Sequence, residues 1–239
     1  MKVVFSVSPM LKTALATALL PFPLMVAVEP LPDGQELARS MRERPPEKAT
    51  EIQATLEVFE KDGKRNTSSL LIEATSIRPK KWCVTYKARS KVGVIDLWRI
   101  CHSIGEANRY EHNERLAKPS EIHKGLADSA FTLSDLGMEF LYWPSQIVLK
   151  TQRRKSRLCY VLESRNPNPS NGEHHRVVSW VDQKTGGILL ADLYNASPKP
   201  VKRFSVKGLT KKNGRWQVDE MEMRDMKSRA RSRLQFHLK

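Results

Sequence analysis

From Thr50 onward, apolar and polar residues alternate with a period of two. Ile52, Ala54, Leu56 and Val58 fall on one face, and Glu51, Gln53, Thr55 and Glu57 on the other, the pattern of an antiparallel strand with one wet side. Asp62-Gly63-Lys64 predicts a turn, followed by a second strand carrying Leu70, Ile72 and Ala74. A third strand carries Trp82, Val84, Tyr86 and Ala88, and a fourth spans Val94–His102 with Trp98 and Ile100 inward. Arg109–Leu116 is expected as a fifth, despite its poor alternation. Beyond Pro144 the period returns in Ile147–Gln152, Leu158–Ser164, Val177–Asp182, Ile188–Tyr194, Val201–Leu209, Arg215–Arg224 and Arg229–Leu238. Trp216 and Val218 fall on even positions and Met221 and Met223 on odd ones, which predicts a bulge near Asp219-Glu220. Strands of this regularity, joined by short turns, predict a mainly β (α+β) chain built on one large curved antiparallel sheet.

Two stretches depart from the strand period. Asp33–Glu36 has the form of a capping box, and Glu36–Arg44 is predicted as a short helix with Leu37, Ala38 and Met41 on one side, stopped by Pro45-Pro46. Pro119–Ala130 is expected as a connecting loop that delivers the chain to Phe131–Pro144. There Thr132 and Asp135 form a second box, and Leu133, Leu136, Gly137, Phe140 and Leu141 recur at helical spacing until Pro144. This short helix carries more apolar surface than its length requires. It is either a core helix closing off the sheet or a lid over an apolar cavity.

The beginning of the chain has a different character. Lys2 and Lys12 precede the apolar stretch Thr13–Val26, which Pro21 and Pro23 interrupt and Ala27 follows. That order predicts a secretory signal peptide over residues 1–27, cleaved near Ala27, and one exported, periplasmic domain over 28–239. The formal charge of +15 would fall only to +13 without Lys2 and Lys12, so the domain favours anionic partners. Export sets nucleic acid aside. Three cysteines leave one unpaired in an oxidising compartment. If Lys91-Val92-Gly93 is a three-residue hairpin loop, Cys83 stands opposite Cys101 on one face. A cross-strand disulfide is then geometrically allowed, with three free thiols as the alternative; Cys159 stays free in both.

Catalytic signatures are missing: there is no Gly-x-Ser-x-Gly elbow, no phosphate-cradling loop and no His-Glu-x-x-His. His174 and His175 are adjacent in a loop and point apart, a poor start for a metal site. Asp96 and Asp182 fall on inward-phase positions and are the best candidate acids, yet neither has a nucleophile beside it in sequence. The expectation is a binding protein without catalytic residues, cofactor or metal. The chain does carry apolar material in excess of a plain sheet-and-helix core. Leu56, Val58, Ile72, Trp82, Tyr86, Trp98, Trp180, Met221 and Met223 fall on or near the inward phase, as does Trp216. Phe131, Leu136, Phe140, Leu141 and Trp143 belong to the opening stretch. The first nine with these five are the expected lining of a cavity and its lid, since Met and Trp suit adaptable apolar walls.

The segment Ser134, Asp135, Leu136, Phe140, Leu141, Trp143, taken with Trp180-Val181-Asp182 and the turn at Thr185-Gly186-Gly187, resembles the LolA-like outer-membrane lipoprotein-sorting proteins. Cys159–Glu163 and Asp192-Leu193-Tyr194 fit the same pattern. The resemblance implies an unclosed β-barrel with helices across a hydrophobic concave side. It also implies a monomeric carrier for acylated lipoproteins or other lipids, moving between an inner-membrane exporter and an outer-membrane acceptor with transient membrane contact. In that family an arginine helps to hold the lid shut, and Arg39, Arg42 and Arg44 all lie in the right region here. Competing expectations are an envelope-stress sensor on the same fold and an envelope hydrolase using Asp96 or Asp182.

Overall fold

Among the described residues, thirteen strands form one antiparallel sheet whose connectivity places the functional region. A computed structural model of the chain describes residues 30–239 apart from 90–92, 94, 171–172, 213 and 239. The expected signal segment and the tip of the third hairpin lie outside the described residues. The first half of the chain is a meander of β1 (Thr50–Phe59), β2 (Arg65–Arg78), β3 (Lys81–Arg89), β4 (Ile95–Ser103), β5 (Arg109–His112) and β6 (Arg115–Leu116). The second is a meander of β7 (Ser145–Arg154), β8 (Arg157–Arg165), β9 (Arg176–Asp182), β10 (Ile188–Tyr194), β11 (Lys202–Lys212), β12 (Arg215–Asp225) and β13 (Arg231–His237). Pairing of β1 with β13 joins the halves, so β6 and β7 become the two free edges and the sheet stays open. The chain between those edges, residues 117–144, is therefore the crossover that links one rim of the sheet to the other.

Every strand expected from alternation is present except that Arg109–Leu116 divides in two. Asn113 and Glu114 adopt left-handed backbone and turn the chain back, pairing His112 with Arg115. The bulge expected near Asp219-Glu220 is observed, with the β11–β12 register shifting between Val206 and Leu209 opposite this segment. Further shifts occur at Ile188/Leu190 and Val148/Lys150. Bulges bend a strand and increase its twist, so these four shifts coil the second half of the sheet.

Helix α1 (Gly34–Arg42) begins at the expected cap, where the Asp33 carboxylate accepts from the Glu36 amide at 2.9 Å. It lays Leu37, Ala38 and Met41 against β7 and the crossover. Gly34 touches β7 so closely that a Cβ there would stand 2.3 Å from the Gln146 carbonyl oxygen. The crossover is not a plain loop followed by one helix. It holds α2 (Pro119–Ile122), a 3-10 turn at Leu126–Asp128, α3 (Leu133–Leu136) and a second 3-10 turn at Glu139–Tyr142. The capping box forms as expected, with Thr132 Oγ1 accepting from the Asp135 amide and Asp135 accepting from the Thr132 amide. The expected helix over 131–144 breaks after one turn because Met138 takes φ 49°, a conformation that L-residues adopt singly and not within helices.

Two apolar clusters fill the concave side. One gathers Leu56, Leu70, Ile72, Trp98, Ile100 and Leu234 with Phe131 and Leu133 of the crossover. The other gathers Ala38, Leu141, Leu162, Val177, Val181, Ala191 and Leu193. A third, smaller cluster lies on the outer face: Cys159, Val161, Val178, Trp180 and Leu189. Cys83 and Cys101 pair across β3 and β4 as a disulfide, with Cα atoms 4.1 Å apart, and Cys159 is free and buried.

Candidate functional site

Between the two concave clusters an apolar cavity of about 200 Å³ remains. Tyr86, Phe204, Met221 and Met223 form its floor on the sheet. Phe131, Leu136, Met138 and Phe140 of the crossover form its roof, and Ile188, Ala191 and Leu193 close one side. Phe140 meets Trp143 edge-on, with ring centroids 6.4 Å apart. Burial pushes the Tyr86 phenol up to about 12, as expected for a hydroxyl placed in an apolar wall.

The roof is apolar in the middle and pinned by polar contacts around its margin. The Asn108 amide donates to the Gly137 carbonyl at 2.8 Å and accepts from the Tyr142 hydroxyl at 2.8 Å. Gln146 donates to the Phe140 and Trp143 carbonyls at 2.8 and 3.0 Å. The Ala130 amide donates to Ser232 Oγ at 2.8 Å. Arg42 of α1 donates to the Leu141 carbonyl at 2.8 Å, with its guanidinium 5.2 Å from the Tyr142 ring centroid. Arg39 instead pairs with Glu36 within its own helix, and Arg44 reaches the Thr185 carbonyl. Of the three arginines, Arg42 alone touches the roof among the described residues.

One ion pair lies at the cavity wall. Lys202 of β11 donates to Asp135, whose side chain is 5% exposed. Burial alone would raise the Asp135 carboxyl. The Lys202 charge and hydrogen bonds from Lys202 and Thr132 outweigh it and hold the group below the ordinary carboxylate value. Behind the roof, a small recess brings His174 near Asp135 and Glu139. Burial lowers the His174 imidazole, while burial followed by repulsion from Glu173 and Asp135 raises Glu139.

The expected lining residues separate into three groups. Tyr86, Phe131, Leu136, Phe140, Met221 and Met223 line the cavity. Leu56, Val58, Ile72 and Trp98 pack in or against the adjoining cluster, and Leu141 and Trp143 in or against the other. Two residues lie elsewhere. Trp82 is buried, stacks on His102 with centroids 5.3 Å apart, and does not line the cavity. Trp180 faces the opposite side of the sheet, because Val177 and Val181 occupy the inward phase of β9. Asp182 shares the phase of Trp180 and is likewise outside, held by Arg157 at 3.0 Å and Thr185 at 2.6 Å. Strand β9 is apolar on both faces, so alternation did not distinguish them. Trp216, also expected near the inward phase, is 45% exposed, with the Arg157 guanidinium 4.8 Å from its ring centre.

Asp96 is on the inner side, but as an anchor. It accepts from Trp98 Nε1 at 3.0 Å, shares a hydrogen bond with His112 Nε2 at 2.7 Å, and reaches the Ala127 amide. Ile188, Ala191 and Phe204 have no sequence signal beyond their place on expected strands, and Leu193 belongs to the Asp192-Leu193-Tyr194 segment. Gln146 and Lys202 were missed too. Their signal is a polar residue at an inward-phase position flanked by apolar ones.

Residues 105–238, more than half of the chain, match the model of a family described as "Uncharacterized protein"-like. The chain belongs to that family. No curated protein matches it. Among solved structures, the fold is similar to a Vibrio parahaemolyticus domain described as belonging to an outer membrane lipoprotein-sorting protein. That match has TM-score 0.70 at 14% identity, over 86% of this chain and 90% of the other. A DUF1329 family protein from Desulfovibrio piger matches with TM-score 0.61 at 17% identity, over 85% and 89% of the two chains. A LolA superfamily protein from Nitrosomonas europaea matches with TM-score 0.56 at 16% identity, over 87% and 93%. The LolA-like resemblance therefore holds in three dimensions: an unclosed antiparallel sheet with short helices over its concave side. Among the described residues, no helix is long and apolar enough to cross a membrane, and no group of three or more His, Cys, Asp or Glu could hold a metal ion.

Proposed function

We propose that this protein is an exported, periplasmic binding protein that takes acyl chains of lipoproteins or other lipids into the cavity beneath residues 131–144 and carries them toward the outer membrane. The observation that carries the reading is the construction of the roof: apolar side chains over an apolar floor, with the Asp135–Lys202 pair at the wall and other hydrogen bonds at the margin. A core element needs no internal space, whereas here the space persists between two filled clusters.

Energetics favour full enclosure of such a cargo. Each methylene kept from water is worth about 0.8 kcal/mol, so a sixteen-carbon chain gains about 12 kcal/mol from burial. Pockets for drug-sized ligands run to about 300–1,000 Å³. At about 200 Å³ the cavity is in a closed state, and an acyl chain enters only as the roof lifts. Lifting requires release of rim contacts, among them Arg42 to Leu141 and Lys202 to Asp135. In this reading the protein is a carrier and not an enzyme: Asp96 is an anchor and Asp182 lies across the sheet from the cavity.

Native mass spectrometry with lipid extraction, on protein isolated from its own envelope, tests the reading. Acylated species released at one per chain support it. Protein that is free of lipid and takes up none from lipid extracts overturns it.

A further inference from the structure

Several stretches of this chain carry basic residues and no acid, and two of them adjoin in the fold. Between Glu139 and Glu163 there are five Lys/Arg residues and no acid; between Asp192 and Asp219 there are seven and again no acid. Far apart in sequence, the two stretches meet in space. The β7–β8 hairpin turns tightly at Lys155-Ser156, both left-handed. Lys155 Nζ then donates to the Lys207 carbonyl of β11 at 3.0 Å. Two residues on, the Arg157 guanidinium lies 4.8 Å from the centre of the Trp216 ring on β12. Arg154 stacks at 4.7 Å on Trp180, whose indole N–H is taken by Gln152. The bulges in β7, β11 and β12 bring these hairpins together by coiling the sheet.

We propose that the adjoining tips of the β7–β8 and β11–β12 hairpins are a docking surface for an anionic phospholipid bilayer. Three observations converge on that occupant. Among the described residues no carboxylate pairs with Arg153, Arg154, Lys155 or Lys211, so their charge is presented outward. Trp216 is 45% exposed with a cation on its ring, an amphipathic arrangement suited to the headgroup layer. Leu158 beside the turn is also exposed, and insertion of the tip among headgroups would cover it. A soluble polyanion would neutralise the charge and leave those side chains in water. None of these residues lines the cavity, so this proposal stands apart from the reading of the cavity.

Vesicle co-sedimentation of the full chain tests it, with phosphatidylcholine vesicles as baseline and phosphatidylglycerol-containing vesicles as the anionic surface. The N-terminal segment is common to all variants and enters the baseline. The wild type is expected to bind the anionic vesicles more tightly and to lose the difference in high salt. Each juxtamembrane cation is worth about fivefold, so Arg153→Gln/Arg154→Gln/Lys155→Gln together weaken binding roughly a hundredfold. In the wild type, brominated lipid quenches fluorescence that Trp216→Phe no longer shows. Uptake of an apolar probe stays unchanged in both variants, which separates loss of docking from loss of the cavity. Equal anionic binding by the triple variant and the wild type overturns the proposal. So does wild-type binding that is indifferent to phosphatidylglycerol. Retention on DNA or heparin that the triple variant abolishes, with vesicle binding untouched, overturns it in favour of a soluble polyanion.

Discussion

Asp135 caps the first turn of the roof and is held by Lys202 from the sheet below, so one carboxylate both starts helix α3 and ties it down. Such a pair is strongly context dependent. Removal of one partner leaves a buried charge and costs about 3–5 kcal/mol, whereas replacement of both by apolar groups is nearly neutral. Asp135→Asn and Lys202→Met should each lower stability by that amount in denaturant unfolding and speed entry of an apolar probe. The double variant Asp135→Leu/Lys202→Met should recover much of the stability. If the single variants unfold like the wild type, the pair is not a tie.

Acidification should weaken the fold in two separate windows. Burial lowers both His102 and His174 from the ordinary value of 6.5. The unfolded chain then takes up protons first, so stability falls as pH drops below about 6.5 and through the folded values. His102 also stacks flat on Trp82. His102→Gln should flatten this part of the profile of melting temperature against pH. Asp135 acts lower: its folded value is depressed, so its contribution is complete above about pH 4 and is lost as pH falls through the folded value.

The close seat of α1 makes Gly34 sensitive. A methyl group there would meet the Gln146 carbonyl at 2.3 Å, a backbone atom that cannot swing aside. Gly34→Ala should cost about 1–3 kcal/mol, the usual range for overpacking, despite the better helix propensity of alanine. As α1 lifts, Arg42 should lose Leu141, so probe uptake should become faster. Unchanged stability and uptake would show that α1 is not pressed against β7 in solution.

The Cys83–Cys101 bridge closes a loop with sequence separation 18 in the half of the sheet that lacks α1. Loop-closure entropy for that size is about 3 kcal/mol. Cys83→Ser/Cys101→Ser, or reduction, should lower the unfolding free energy by about that much without altering ligand uptake. A larger loss with altered uptake would place the bridge in the function of the cavity.

The alternation from Ile52 to Leu238 was enough to read out the strands, because a sheet with one wet face writes its pleat directly into the sequence. The Met221 and Met223 phase change marked the bulge in the same way. What alternation could not show is which face of β9 looks inward, because the outer cluster around Trp180 makes both faces apolar. The roof was legible as a surplus of apolar residues with a capping box. Its break at Met138 was not, since the left-handed turn has no glycine at that position. The rim contacts of Asn108, Gln146 and Lys202 are long-range and depend on tertiary placement that no local pattern encodes.

The most direct test of the cavity is uptake of an acyl-chain fluorescent probe by the wild type and by Leu136→Glu and Phe140→Glu. Both residues line the roof, and a carboxylate facing this apolar space would either draw in water or hold the roof away from the floor. Trp180→Phe, on the other face of the sheet, serves as the folded control. Saturable uptake is expected for the wild type and Trp180→Phe, with loss of at least tenfold in affinity, about 1.4 kcal/mol, in each roof variant. Uptake by both roof variants at wild-type affinity would contradict this expectation and leave residues 131–144 as a core element only.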